Sequence, residues 1–239
     1  MNAYDASASW NNIYGRGANV AYPAEAVIRI FLGQFPKLVF DNDFSGKKIL
    51  DLGYGDGRHF PLFKRLDLRV SGVEITQQIV DNTLSKDLFE NYDLDLRPGT
   101  AGNIPFDDGA FDYLISWNSC YYMSKDSLKF ERHASEMLRV VKPGGWLIVS
   151  VPAPTSFVFK GCEDMGNGYA VIRDDYFAAR NGEIMRRFSD VDDLLGEFED
   201  SLSDISLATI SMDWFGLAYD WYVMVARRGA TSSSITHQP

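Results

Sequence analysis

The chain predicts an α/β fold: a doubly wound sheet of seven strands, mostly parallel with an antiparallel C-terminal strand, and helices on both faces. Three observations predict it. The apolar run Lys48–Leu52 is followed at once by glycine at positions 53, 55 and 57 and then by a helix-like stretch over 59–66. A second apolar run, 69–75, ends in the acid Glu74, 23 residues beyond Asp51. The alternation then continues, with a helix over 77–86, strands over 93–97 and 113–116, a helix over 127–140 and a strand over 146–151. Short buried strands alternating with helical patterns give parallel pairing through crossover helices.

The glycine turn is the centre of this organisation. Glycine reaches positive φ and lets backbone approach a ligand without a Cβ in the way. The helix that follows offers unpaired N–H groups and a partial positive charge, so the unit reads as a nucleotide cradle. A dinucleotide fingerprint would place its third glycine at position 58, which is Arg58 here. Asp51, an anion just before the turn, would repel a pyrophosphate and suit a ligand that carries an ammonium group. The pattern therefore favours a nucleoside that bears an amino acid, of which S-adenosylmethionine is the common one. Glu74 stands where a carboxylate grips the two hydroxyls of a ribose.

The motifs continue in order: Ile104-Pro-Phe-Asp-Asp-Gly-Ala-Phe-Asp112 after the third strand, and Leu138-Arg-Val-Val-Lys-Pro-Gly-Gly145 before the fifth. Together with Asp51-Leu-Gly-Tyr-Gly-Asp-Gly57 and Gly72-Val-Glu74 they resemble class I S-adenosylmethionine-dependent methyltransferases, strongly over residues 45–151. The resemblance implies a Rossmann-like sheet and S-adenosylmethionine as cofactor, with S-adenosylhomocysteine as product. It places Asp51, Gly53, Gly55 and Gly57 around the methionine part, Glu74 on the ribose and Ile75 against the adenine. Thr100, Ala101, Gly102 and Asn103 stand where relatives carry an Asp-Ala pair that contacts the adenine. Thr100 replaces that aspartate with a weaker acceptor, for which Asn103 or a main-chain carbonyl would compensate. Tyr54 replaces a small residue and is expected to shape the methionine pocket. Trp117 and Asn118, at the end of the fourth strand, are expected to face the cofactor, because ligands sit beyond the carboxyl ends of such strands.

Residues facing the acceptor are harder to read. Methyl transfer to oxygen or nitrogen rests on alignment and desolvation, and a base is needed only when the acceptor is a neutral hydroxyl. His59 is the candidate base, being the histidine beside the glycine turn, while His133 reads as solvated. Tyr14, Tyr122, Tyr169 and Arg186 are candidate substrate contacts. Tyr14 or Arg16 would reach the cofactor carboxylate from a flap, and Phe157, Phe159, Tyr176 and Phe177 join the candidates in the inserted element.

A single methyltransferase domain over 1–228 is expected. It comprises an N-terminal helical flap (1–46), an inserted element (152–189) that covers the substrate, and a last antiparallel pair over 205–212 and 221–227. Residues 229–239 read as a flexible tail. The insertion carries a hairpin of 169–172 with 183–188 around Asn181-Gly182; its alternatives are a homodimer contact or a plain surface hairpin. A net charge of −10 and a pI near 4.7, without a basic cluster, argue against nucleic acid. Cys120 and Cys162 lack metal-ligand spacing and read as free thiols, and no metal is expected. No signal peptide or membrane-length apolar run is visible, so the expectation is a soluble cytoplasmic protein without membrane contact.

The predicted function is methyl transfer from S-adenosylmethionine to a small metabolite or a sugar (a small-molecule or glycan acceptor), favouring oxygen over nitrogen. The alternatives are a non-catalytic partner subunit that binds the cofactor, and a nicotinamide-dependent oxidoreductase, which Arg58 and Asp51 disfavour.

Overall fold

A computed structural model of the chain describes Trp10, Ile13, Tyr14 and residues 22–125 and 128–229. Arg16, Ser127 and residues 230–239, which figure in the expectations above, lie outside the described residues. In chain order the elements begin with α1 (Glu25–Leu32), β1 (Lys48–Leu52), α2 (Phe60–Arg65), β2 (Arg69–Glu74), α3 (Gln77–Leu84) and β3 (Leu94–Pro98). They continue with β4 (Phe111–Trp117), the short β5 (Tyr122–Met123), α4 (Phe130–Val140), β6 (Val141–Pro152), β7 (Glu163–Gly166), β8 (Tyr169–Val171) and β9 (Ile184–Arg186). The chain closes with α5 (Val191–Gly196), β10 (Leu202–Trp214) and β11 (Leu217–Arg228).

Seven strands form the main sheet in the order β10-β11-β6-β4-β1-β2-β3. The pairs from β6 across to β3 are parallel, and β11 runs antiparallel to both its neighbours. The doubly wound fold is therefore as expected, with the antiparallel strand inside the sheet and β10 at its edge. Strand period assigns side chains to two cores. Ile49, Tyr113, Ile115, Trp146 and Ile148 face the side covered by α1, α2 and α3, while Leu50, Leu52, Leu114, Leu147 and Val149 face α4 and the insertion. Successive strand residues point to opposite faces, so every central strand is apolar on both.

The order of the sheet reverses between β1 and β4. Their carboxyl ends diverge there and open the crevice where ligands sit in such folds. Lys142-Pro143-Gly144-Gly145, the end of the last motif, forms an irregularity within β6. The register shifts between the pairs Phe111↔Val141 and Tyr113↔Trp146, with Gly144 at φ +79°. That bulge lies at the opposite end of the sheet from the crevice.

The insertion builds a second sheet, β5-β9-β8-β7, that is antiparallel throughout. The expected pairing of 169–172 with 183–188 is present as β8 and β9. The tight two-residue turn is Asn167-Gly168, joining β7 to β8 with positive φ at both residues, as a hairpin turn of this kind requires. The Asn181-Gly182 pair instead closes a longer loop, in which Asp175 accepts from the backbone N–H of Ala179 and Arg180. Through β5, this sheet is tied to the segment leaving β4, which brings the insertion over the crevice. Among the described residues no helix is long and apolar enough to cross a membrane.

Candidate active site

A cavity of about 370 Å³ lies over the carboxyl ends of β1, β2 and β4. This is within the usual size range of ligand sites. One wall comes from the main sheet and consists of Leu52, Gly53, Val73, Glu74, Ile75, Gly99, Thr100, Ala101, Asn118 and Ser119. The facing wall is Trp10, Tyr14, Tyr122, Met123, Ser124, His133 and Glu183.

Glu74 is 7% exposed, and both its oxygens are engaged by backbone. Gly55 N donates to Oε1 at 2.7 Å and Ile75 N to Oε2 at 3.0 Å. A carboxylate has about four acceptor sites, so each oxygen keeps capacity for one further donor from the cavity. Burial pushes its pKa up to about 7, against the pull of those two N–H groups. Two hydroxyls arriving from a ribose would supply the solvation that burial removes. Ile75 beside it is partly exposed and offers an apolar surface to a flat ring.

The three glycines have three different reasons. A Cβ on Gly53, at φ +73°, would lie 2.3 Å from Ser119 Cβ, so glycine here lets the β4 loop close on the end of β1. A Cβ on Gly55 would lie 2.9 Å from the Tyr14 ring, which rests on the turn. Gly57 faces Phe60 and Phe89, and its glycine serves packing. The residue between the first two, Tyr54, turns into the α1–α3 core, where its ring meets Phe60 at 5.3 Å and lies under Gly72. The expectation that Tyr54 shapes the pocket is corrected, because the turn sends its side chain to the other face of the sheet.

Asp51 and His59 are both buried and face each other, His59 Nδ1 lying 3.2 Å from Asp51 Oδ2. Neither lines the cavity. His59 Nε2 has no partner among the described residues, but it is enclosed beside Phe63 and is not presented to an acceptor. The candidate base is thus sequestered by α2, whose start carries it inward.

His133 corrects the reading in the opposite sense. It is buried, it lines the cavity, and its Nδ1 lies 2.7 Å from Cys120 O. A carbonyl oxygen only accepts, so Nδ1 carries the proton, and burial lowers the pKa to favour the neutral ring. Nε2 is then an acceptor, 3.2 Å from where a Cβ on Gly102 would be. Thr100 and Ala101 border the same end of the cavity. Gly102 and Asn103 do not line it, and Asn103 uses its backbone in a tight reciprocal bridge with Thr100.

The segment after β4 is fixed by a polar chain. Ser119 Oγ donates to Leu52 O, Ser116 Oγ pairs with Ser119 Oγ at 2.9 Å, and Cys120 N donates to Ser116 Oγ at 3.1 Å. Asn118 sits at φ +59°, a conformation asparagine tolerates better than most residues. Ser150 Oγ holds it there, accepting from Asn118 N at 2.9 Å and donating to Oδ1 at 2.8 Å. Trp117 packs instead against the α1–α3 core.

Of the four candidate substrate contacts, Tyr14 and Tyr122 line the cavity and Tyr169 and Arg186 do not. Tyr169 O–H accepts from Phe130 N, while Arg186 is buried between Asp193 and Glu197, at 2.9 Å from the latter. Its guanidinium also reaches Gly168 O and Arg187 O, so its role is to tie β9 to α5. Phe157 and Phe159 are core residues, and Tyr176 and Phe177 are exposed away from the cavity. The sequence reading did not single out Glu183. Trp10, read there as part of the flap, stacks on Tyr14 at 5.8 Å and meets Tyr122 edge-on at 5.5 Å.

Residues 50–149 match the family described as a methyltransferase domain. A phthiotriol/phenolphthiotriol dimycocerosates methyltransferase of Mycobacterium ulcerans is 29% identical over 125 residues, which are 48% of this chain and 41% of that one. The chain thus spans less than half the length of that relative. Among solved structures, an S-adenosylmethionine-dependent methyltransferase of Methanosarcina mazei superposes with a TM-score of 0.59 at 18% identity, covering 83% of this chain and all of that one. The 1,6-didemethyltoxoflavin-N1-methyltransferase of Burkholderia thailandensis, solved with S-adenosylhomocysteine, gives 0.58 at 14% identity over 93% of this chain and 85% of that one. At these identities the likeness to the two structures is one of fold. The domain match runs from β1 into β6, through the strands whose ends build the cavity, and over those residues the chain is similar to the class I S-adenosylmethionine-dependent methyltransferases.

Proposed function

We propose that this chain transfers a methyl group from S-adenosylmethionine to a small-molecule acceptor, at oxygen in preference to nitrogen. The observation that carries the reading is Glu74: a buried carboxylate, fixed by two backbone N–H groups, with acceptor capacity turned into the cavity. The bound cofactor supplies an electrophilic methyl carbon on a sulfonium. Glu74 holds the ribose hydroxyls, Ile75 and Ala101 flank the adenine, and His133 Nε2 accepts from the adenine amino group in place of the acid that Thr100 replaces. Gly53 and Asn118 border the methionine part. Tyr14 covers it from the glycine turn and excludes water, which strengthens every electrostatic contact beneath it.

The Trp10–Tyr14 segment acts as the cover and the insertion as the acceptor wall. A sugar acceptor is less well matched than a flat apolar one, since Trp10, Tyr122 and Met123 dominate that wall. Titration with S-adenosylhomocysteine in a calorimeter tests the cofactor assignment, with saturable binding expected in the wild-type chain and lost in Glu74→Ala. Labelled S-adenosylmethionine incubated with fractionated cell extract then tests transfer. Binding without a labelled product in any fraction would leave a cofactor-binding partner subunit as the better reading.

A further inference from the structure

We propose that Glu183 is the acceptor-binding and proton-accepting residue of this cavity, and that the acceptor is a neutral molecule presenting an O–H or N–H on a flat, apolar body. The inference rests on the methyl-transfer reading and deepens it. Glu183 belongs to the insertion, immediately before β9, and its backbone carbonyl accepts from Ile172 N. It is 7% exposed and lines the cavity opposite Glu74. One carboxyl oxygen receives the Trp10 indole N–H, while Oε1 has no hydrogen-bond partner among the described residues.

A buried polar atom left without a partner carries a desolvation penalty that a ligand donor relieves. Among the described residues no donor reaches Oε1, and Lys125 acts on this carboxylate only as a nearby positive charge, so a donor in the cavity is what completes it. The walls beside it define the rest of the ligand. Trp10 packs its ring on those of Tyr14 and Tyr122, and Met123 adds a polarisable thioether. Such a wall favours a planar apolar body.

Burial pushes the Glu183 pKa up to about 7, which suits a group that takes a proton near neutrality. In the step, the acceptor heteroatom's lone pair forms the new bond to the methyl carbon. The carbon–sulfur bond breaks with its electron pair remaining on sulfur, and the acceptor's proton passes to Glu183.

Phenol and anisole share a flat ring, and only phenol carries a donor. Both are titrated into the full chain, with and without saturating S-adenosylhomocysteine, alongside phenyltrimethylammonium as a cationic probe. The expected result is that phenol binds about tenfold or more tightly than anisole in the wild type, the worth of one hydrogen bond to a carboxylate. Glu183→Ala is expected to abolish that preference. Glu183→Gln, whose amide oxygen takes the Trp10 N–H and so leaves an NH2 donor at the cavity position, is expected to lose it as well. Unaltered affinity of both variants for S-adenosylhomocysteine establishes that they fold. Equal or absent binding of phenol and anisole to the wild type would overturn the proposal, as would a preference that survives in Glu183→Ala. Tighter binding of phenyltrimethylammonium than of phenol would overturn it in favour of a cationic acceptor. Failure of S-adenosylhomocysteine to bind would sink the cofactor assignment alone, since the phenol comparison is also made without it.

Discussion

The two walls of the cavity each present one buried glutamate, and the pair differs in a way that separates holding from reacting. Glu74, on the main sheet, and Glu183, on the insertion, are equally buried, and burial pushes both up to about 7. Glu74 has a backbone N–H on each oxygen, from residues that β2 and the glycine turn fix in place. Such a group is preorganised to receive two hydroxyls and is held too firmly to exchange partners. Glu183 has an indole on one oxygen and, among the described residues, no hydrogen-bond partner on the other, which is the position proposed for a ligand donor. Residue type and burial are the same, and the local hydrogen bonding sets the roles apart.

The comparison can be broken most forcefully at the support of the insertion. Arg186 is buried between Asp193 and Glu197, and Arg186→Ala leaves those acids without their cation. A loss of about 3–5 kcal/mol of stability is expected, read by chemical denaturation. If the insertion is held independently of the main sheet, affinity for S-adenosylhomocysteine in the folded fraction stays unchanged. A parallel loss of affinity would show that the two walls are one cooperative unit.

Next in size is the Glu74 wall itself. Glu74→Ala is expected to weaken S-adenosylhomocysteine by about 3 kcal/mol, roughly a hundredfold, because two charge-assisted hydrogen bonds disappear. An affinity within a few-fold of wild type would remove Glu74 from the cofactor site.

The Glu183 wall makes a prediction about pH. A carboxyl group whose pKa is higher folded than unfolded binds its proton more tightly in the native chain. Its stabilising contribution is complete below about 4.5 and is lost as pH rises through about 7. Glu183→Gln removes that dependence. The variant should therefore be more stable than wild type by on the order of 1–3 kcal/mol at alkaline pH, with the difference vanishing in acid. Thermal melts across pH test this, and a difference that grows toward acid would contradict the burial argument.

The smallest effect belongs to His133. His133→Phe should weaken S-adenosylhomocysteine by about 1 kcal/mol, the worth of one neutral hydrogen bond. It should leave the inosine analogue, which lacks the adenine amino group, unaffected. Equal losses for both ligands would assign His133 to packing.

The legible part of the site was the part made by consecutive residues. The strand, glycine turn and acid of β2 fall in one short stretch, and parallel pairing of β1 with β2 sets Asp51 beside Gly72. Glu74, which lines the cavity, could thus be singled out from spacing, while Ile75, which lines it too, was implied only by the family resemblance. Tyr54 could not, since its direction depends on the positive φ of the glycines that flank it. The histidines were exchanged for a related reason. His59 looked close to the site because it follows the turn, yet α2 folds it against Asp51. His133 looked remote and charged about, yet α4 carries it across the sheet to the far end of the cavity. Glu183 gave no signal because nothing in its neighbourhood marks a turn to the cavity; the link is β5, two residues long, which pairs with β9 and draws the insertion over the crevice.

By itself, then, the sequence determined the alternation of strands and helices, the sheet they build and the half of the cavity made by the glycine turn and the end of β2. These follow from local periodicity and from backbone conformations that only certain residues adopt. Only the tertiary structure decided which side chains face that half, because Trp10, Tyr122, His133 and Glu183 come from four separate segments. Their meeting depends on strand pairing and on the packing of two sheets, quantities that no stretch of the chain carries alone.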